Sequence, residues 1–129
     1  MKNIITILLV LILPICAYFI INKDTKYFDA IAKENTPTLY IYTSAMCLDC
    51  QKLKNVIAEL TPIYDEKVNF LQINAMERNK RVQDLIKKHE IVLVPTIIIL
   101  DRNGNKLNKI EGYTEKDKLI NEIEEAING

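Results

Sequence analysis

Residues Thr38 to Cys50 read TLYIYTSAMCLDC. The first five, Thr38 to Tyr42, are β-branched, aromatic or aliphatic and predict a strand. Beyond Cys47-Leu48-Asp49-Cys50, the residues Leu53, Val56, Ile57 and Leu60 recur at the i, i+3, i+4, i+7 spacing of one helix face, which Pro62 is expected to close. The two cysteines therefore fall where a strand ends and a helix begins. Unpaired N–H groups and the helix dipole at that point favour negative charge and lower a thiol's pKa, which suits Cys47 to attack as a thiolate. Two intervening residues in a helical turn bring Cys50 back beside it, at a separation a disulfide can span. Tyr40 and Tyr42 share one side of the strand by its period of two, as core or near-core residues.

Working outward, Lys26 to Glu34 is a short helix candidate, stopped near Asn35 and Pro37. Val68 to Ile73 predicts the next strand, and Val82, Leu85, Ile86 and His89 repeat the helical spacing. Thr96 to Leu100 is continuously apolar, as a strand covered on both faces should be. Asp101-Arg102-Asn103-Gly104 is a hairpin turn, with Gly104 free to take positive φ, and Lys106 to Ile110 returns as a weaker edge strand. Thr114 and Asp117 are spaced as a capping box for a last helix whose apolar face is Leu119, Ile120, Ile123, Ala126 and Ile127. The order α-β-α-β-α-β-β-α predicts an α/β fold, a mixed central sheet with helices on both faces. Strands separated by helices are expected to pair in parallel, and the closing hairpin to add one antiparallel strand.

The whole chain has 129 residues, room for one domain and a short appendage. With 49% apolar and 26% charged residues it is neither a disordered nor a fibrous chain. Seventeen basic residues cancel seventeen acidic ones, so no basic field is left for nucleic acid, and none is expected as a partner. Three cysteines are too few for a disulfide-stapled scaffold, and three glycines allow no phosphate-cradling loop.

The charge is unevenly placed: Ile4 to Ile21 contains no charged residue. A helix of that length rises about 27 Å, close to the roughly 30 Å of a bilayer's hydrocarbon core. A cleaved signal peptide wants small residues at −3 and −1, and Ile15, Cys16, Ala17, Tyr18 and Phe19 supply no clean pair. A lipoprotein signal would need small residues before Cys16, where Pro14 and Ile15 stand. An uncleaved anchor fits best, so 1–22 is read as a membrane anchor (or signal segment) and 23–129 as the folded domain. Lys2 weighed against Lys23 and Lys26 barely decides orientation. The short end is placed inside, which makes the expected location a single-pass cell-membrane protein with its domain extracytoplasmic.

With these elements in place, the chain over roughly residues 27 to 129 resembles the thioredoxin superfamily, on three features together. The first is the strand–Cys47-x-x-Cys50–helix unit. The second is Val94-Pro95-Thr96, opening the apolar strand 45 residues after Cys50. The third is Gly112, after the final hairpin. The resemblance implies a thioredoxin-like fold and a thiol–disulfide oxidoreductase with no cofactor beyond its redox-active disulfide. It implies Cys47 as nucleophile, Cys50 as resolving thiol, and Pro95 as a cis-proline lying against the sulfurs. Val94 and Thr96 would then give backbone contacts to the bound substrate chain. Departures are instructive. Met46 stands where thioredoxins carry Trp, Ile41 where cytosolic members bury an Asp, and Gln72 where a paired lysine is found. These make the chain look like membrane-anchored, extracytoplasmic relatives. Asp49, a negative charge beside the sulfurs, should stabilise the disulfide relative to strongly oxidising members, which points to a reductase or exchange role. Disulfide-bearing client proteins are then the substrates, and a membrane electron conduit the donor.

Rival readings stay open at this stage. A structural zinc site would need four ligands, leaving Cys16 and His89 to complete it. A copper or other metal-delivery module could use Cys47, Cys50 and His89, although His89, the only histidine, ends a helix face where a packed residue is expected. Cys16 is an apolar residue of the span, with lipidation as the alternative. The leading expectation is an enzyme that reduces or exchanges protein disulfides.

Overall fold

Thr38–Thr43 forms β1, with Leu39 and Ile41 turned to one face of the sheet and Tyr40 and Tyr42 to the other. The structure, a computed structural model, describes residues 1–21 and 33–129. The helix expected over Lys26 to Glu34 lies, up to residue 32, outside the described residues. The chain divides into two compact units, Met1–Ile31 and Ala32–Gly129.

In the first unit, α1 runs Lys2–Ile21 with Pro14 inside it. Its side chains are described as far as Tyr18, and those of isoleucine, leucine and valine among them are exposed. Among the described residues no helix is both long and apolar enough to cross a membrane.

In the second unit the remaining elements follow as α2 (Leu48–Tyr64), β2 (Asn69–Asn74), α3 (Lys80–Lys88), β3 (Thr96–Leu100), β4 (Lys106–Glu111) and α4 (Lys116–Asn128). Four strands form one mixed sheet in the order β2-β1-β3-β4. The main core lies on the Leu39 and Ile41 face, where Ile97 and Ile99 join Leu53, Ile57 and Leu60 of α2 and Leu119, Ile123 and Ala126 of α4. Burying a Leu or Ile there contributes roughly 1.5–3 kcal/mol each. The opposite face carries Tyr40, Tyr42 and Ile98, with His89 from the end of α3 tilted against the Tyr40 ring and edge-on to the Tyr42 ring at ring-centroid distances of 5.0 and 5.9 Å. Helices therefore cover both faces, as expected.

Three expectations are corrected. β1 and β2 pair in parallel, but β3 runs antiparallel to β1, with Tyr42 opposite Thr96 and Thr38 opposite Leu100. The reason lies in α3: at nine residues it rises only about 13 Å, and it ends with His89 on the Tyr42 face. The chain thus re-enters the sheet from the end where β1 finishes instead of returning to where β1 starts. Pro62 does not close α2, which continues to Tyr64. The carbonyl that proline leaves without a partner belongs to Ala58 on the exposed side, while Leu60 and Tyr64 stay packed on the core. Finally, Thr114 and Asp117 form no capping box. The N-cap is Glu115, without a side-chain cap bond, and the buried Thr114 hydroxyl has no hydrogen-bond partner. The helix starts one residue later than that motif requires, so Thr114 faces the interior instead of the helix end.

Candidate active site

Cys47 is the N-cap of α2 in extended conformation, and its sulfur accepts a hydrogen bond from the Cys50 N–H at 3.1 Å. That is the position at which a helix offers unpaired N–H groups to an anion. Cys47 and Cys50 form a disulfide-distance pair, their Cα atoms 5.1 Å apart. Cys47 is partly exposed, whereas Cys50 is 0% exposed beneath it.

The Val94–Pro95 peptide is cis, and the Val94 carbonyl oxygen lies 3.8 Å from the Cys47 sulfur. Antiparallel pairing is what makes this possible. Had β3 run parallel to β1, Pro95 would stand at the far end of the sheet, about 16 Å away. Two further bonds hold the proline loop. The Thr96 hydroxyl donates to the Leu93 carbonyl at 2.7 Å, and the Gly112 N–H donates to the Pro95 carbonyl at 2.8 Å. Gly112 sits at φ +87°, a conformation glycine takes without strain.

Around this centre the surface is apolar. Met46 and Leu48 flank Cys47 and are 98% and 81% exposed, and Val92, 80% exposed, precedes the exposed Leu93 on the approach to Val94. Of these only Met46 and Val94 were singled out from the sequence. The signal that could have found the others is apolar residues inside and just before motifs that must face solvent. Asp49 is exposed and its carboxylate pairs with the Lys52 ammonium at 3.4 Å, so its charge is locally offset. Ile41 is fully buried among the α2 residues of the core, which leaves an apolar side chain where the resemblance would place a carboxylate.

His89 is not brought to the sulfurs as a ligand. It is buried, and its Nδ1 is 2.6 Å from the Tyr42 hydroxyl. Among the described residues no group of three or more His, Cys, Asp or Glu side chains is placed to hold a metal ion, so a Cys47–Cys50–His89 metal site has no geometric support. Cys16 is exposed on α1, in the other unit.

Comparison with known proteins agrees with this geometry. The family of thioredoxin-like domains matches residues 25–127. The chain belongs to the thioredoxin-like family. Its relatives include a thioredoxin of Staphylococcus saprophyticus, 26% identical over 104 residues that span 81% of this chain and 93% of the relative. A thioredoxin of Rickettsia bellii is 25% identical over 104 residues, 81% and 94% of the two chains. Among solved structures, oxidized thioredoxin O2 from Arabidopsis thaliana superposes with a TM-score of 0.64 at 24% identity, over 80% of this chain and 88% of that one. A mutant thioredoxin from Halobacterium salinarum gives a TM-score of 0.66 at 22% identity, over 80% and 84%. This thioredoxin-like protein is a thiol–disulfide oxidoreductase, and its Cys47–Cys50 pair lies at disulfide distance.

Proposed function

We propose that this thioredoxin-like protein is a membrane-tethered reductase or exchanger of protein disulfides, with its catalytic domain on the extracytoplasmic side. The observation that carries the chemistry is the Cys47–Cys50 pair at the mouth of α2, with the cis Val94–Pro95 bond against it.

The exposed Cys47 thiolate attacks one sulfur of a client disulfide. A mixed disulfide forms and the displaced client thiolate takes up a proton. Cys50 then loses its proton and attacks the Cys47 sulfur, which breaks the mixed disulfide and releases the second client thiolate. The products are a client dithiol and the Cys47–Cys50 disulfide, two electrons having passed to the client. The main chain of Val94 and Thr96 on either side of Pro95 pairs with the client segment next to its cysteine. Met46, Leu48, Val92 and Leu93 favour clients whose cysteine has apolar neighbours.

Supporting the tether is the 20-residue α1, whose apolar side chains find no cover as far as they are described. Supporting the reducing direction is Asp49 between the cysteines, with Lys52 tempering its effect. Re-reduction requires a dithiol donor, which for a domain outside the membrane means a membrane electron conduit.

Cys47→Ser should abolish insulin disulfide reduction, and Cys50→Ser should accumulate mixed disulfides visible on non-reducing gels. Normal reduction by the Cys47 variant would remove the mechanism. A measured potential near −120 mV, that of a strong periplasmic oxidant, would reverse the proposed direction. Labelling of Cys47 in intact cells by an impermeant thiol reagent tests the location, and failure to label after reduction would place the domain inside.

A further inference from the structure

We propose that Tyr42 and His89 are a positioning pair, which holds the Val94–Pro95–Thr96 loop in register with Cys47 for protein substrates and releases it when His89 takes up a proton. The inference rests on the disulfide-exchange reading of the site and adds two residues to it that touch neither sulfur nor substrate.

The pair sits at a junction. Tyr42 is followed within five residues by Cys47, and in the sheet it lies opposite Thr96, the residue after Pro95. His89 is the C-cap of α3, and from it the chain runs through Glu90, at φ +53°, and Ile91 to Val94. One hydrogen bond of 2.6 Å between their side chains therefore ties the strand that delivers Cys47 to the connection that delivers Pro95. Both residues are buried.

A buried polar pair of this kind is stabilising only while each group has a partner. When neutral His89 carries its proton on Nε2, the Tyr42 hydroxyl donates to Nδ1. Once Nδ1 carries a proton it becomes a donor, and the Tyr42 hydroxyl hydrogen is left buried without an acceptor. The charged groups acting on His89 oppose a further positive charge. Tyr40 and Tyr42 of β1 present rings, and the charged groups acting on it are two cations, Lys88 of α3 and Lys106 of β4. Glu90, next in the chain, is exposed. Burial first, and then these lysines, hold the imidazole below its ordinary value of 6.5. The sign follows. The neutral form is the one the fold favours, so the pair is stabilising at neutral pH; as the pH falls through that lowered value the bond must reverse, beside a buried charge and an unmatched hydroxyl hydrogen, and its hold on the loop weakens.

Acid also protonates Cys47, so the test uses a ratio in which that effect cancels. Reduced full-length protein in detergent is reacted with insulin, which must dock on the proline loop, and with a small aromatic disulfide, which need not. For the wild type the insulin-to-small-disulfide rate ratio should fall steadily as the pH is lowered from 7 to 4. His89→Asn keeps an acceptor near the Nδ1 position but cannot charge, and should hold the ratio flat. Tyr42→Phe should lower the ratio at every pH. Exchange of the Gly112 amide, bonded to the Pro95 carbonyl, reads the loop without turnover. Corrected for intrinsic rates, it should quicken in acid in the wild type and not in His89→Asn. A wild-type ratio that stays flat, an equal fall in His89→Asn, or a Gly112 amide indifferent to pH would each overturn the proposal. Failure of the wild type on both disulfides would instead count against the exchange reading, with the Gly112 amide still deciding for or against the pair.

Discussion

Cys47 and Cys50 share a turn of chain yet differ in surroundings, a difference that suits the order of attack proposed for them. The N-cap cysteine is partly exposed, and the second is fully buried beneath it. This much was legible in the sequence, because a Cys-x-x-Cys after a strand and before a helix face constrains both position and spacing. The Tyr42–His89 bond was not. It joins residues 47 positions apart, and helical periodicity marks His89 as packed without saying what it bonds. Asp101 gives a residue-scale prediction. Its carboxylate accepts bonds from the Asn105 N–H at 2.9 Å and the Asn103 N–H at 2.8 Å, and the Asn105 backbone bond foremost holds it below its usual 3.8. A lowered folded value means the stabilisation is complete above the ordinary carboxylate pKa and lost as the pH drops through the lowered one. Stability of the wild type relative to Asp101→Ala, measured by urea unfolding, should therefore narrow on acidification below about pH 4.

Whole elements were read from periodicity with few errors, and those errors share a cause. Pro62 and the Thr114–Asp117 spacing are local signals, and tertiary packing overrode both: Leu60 and Tyr64 keep α2 helical past the proline, and burial turns Thr114 inward. The unpartnered Thr114 hydroxyl predicts that Thr114→Val, of nearly the same shape, will leave stability unchanged or raise it by about 1 kcal/mol in urea titrations. The connection from β4 to α4 behaves oppositely. Gly112→Ala places a Cβ at φ +87° and should cost about 1 kcal/mol, with a larger loss of insulin reduction because the Pro95 carbonyl is held by that residue's N–H. Within α2, Leu53→Ala opens a cavity in the fully buried core and should cost roughly 2–5 kcal/mol by the same measurement.

At the scale of the molecule, the layers and the edge placement of β4 followed from patterning, whereas the direction of β3 did not. A helix between two strands ordinarily implies a parallel return, and no single residue announces that α3 is too short to make one. The catalytic centre depends on that reversal. The unit Ala32–Gly129 contains the core formed by the described residues and both halves of the site, so a fragment of residues 25–129, which keeps the family-matched span, should unfold in one cooperative transition and reduce insulin at the full-length rate.

The central strand has a mechanical consequence as well. The chain enters β1 just after Pro37 and leaves it at Thr43, toward Cys47, with hydrogen-bond ladders to β2 on one side and β3 on the other. A pull at the Thr38 end would load β1 lengthwise, in shear, so that both ladders must yield together before the strand slips. Tension at that end would thus be absorbed along β1 before it reached the sulfurs beyond the strand's other end.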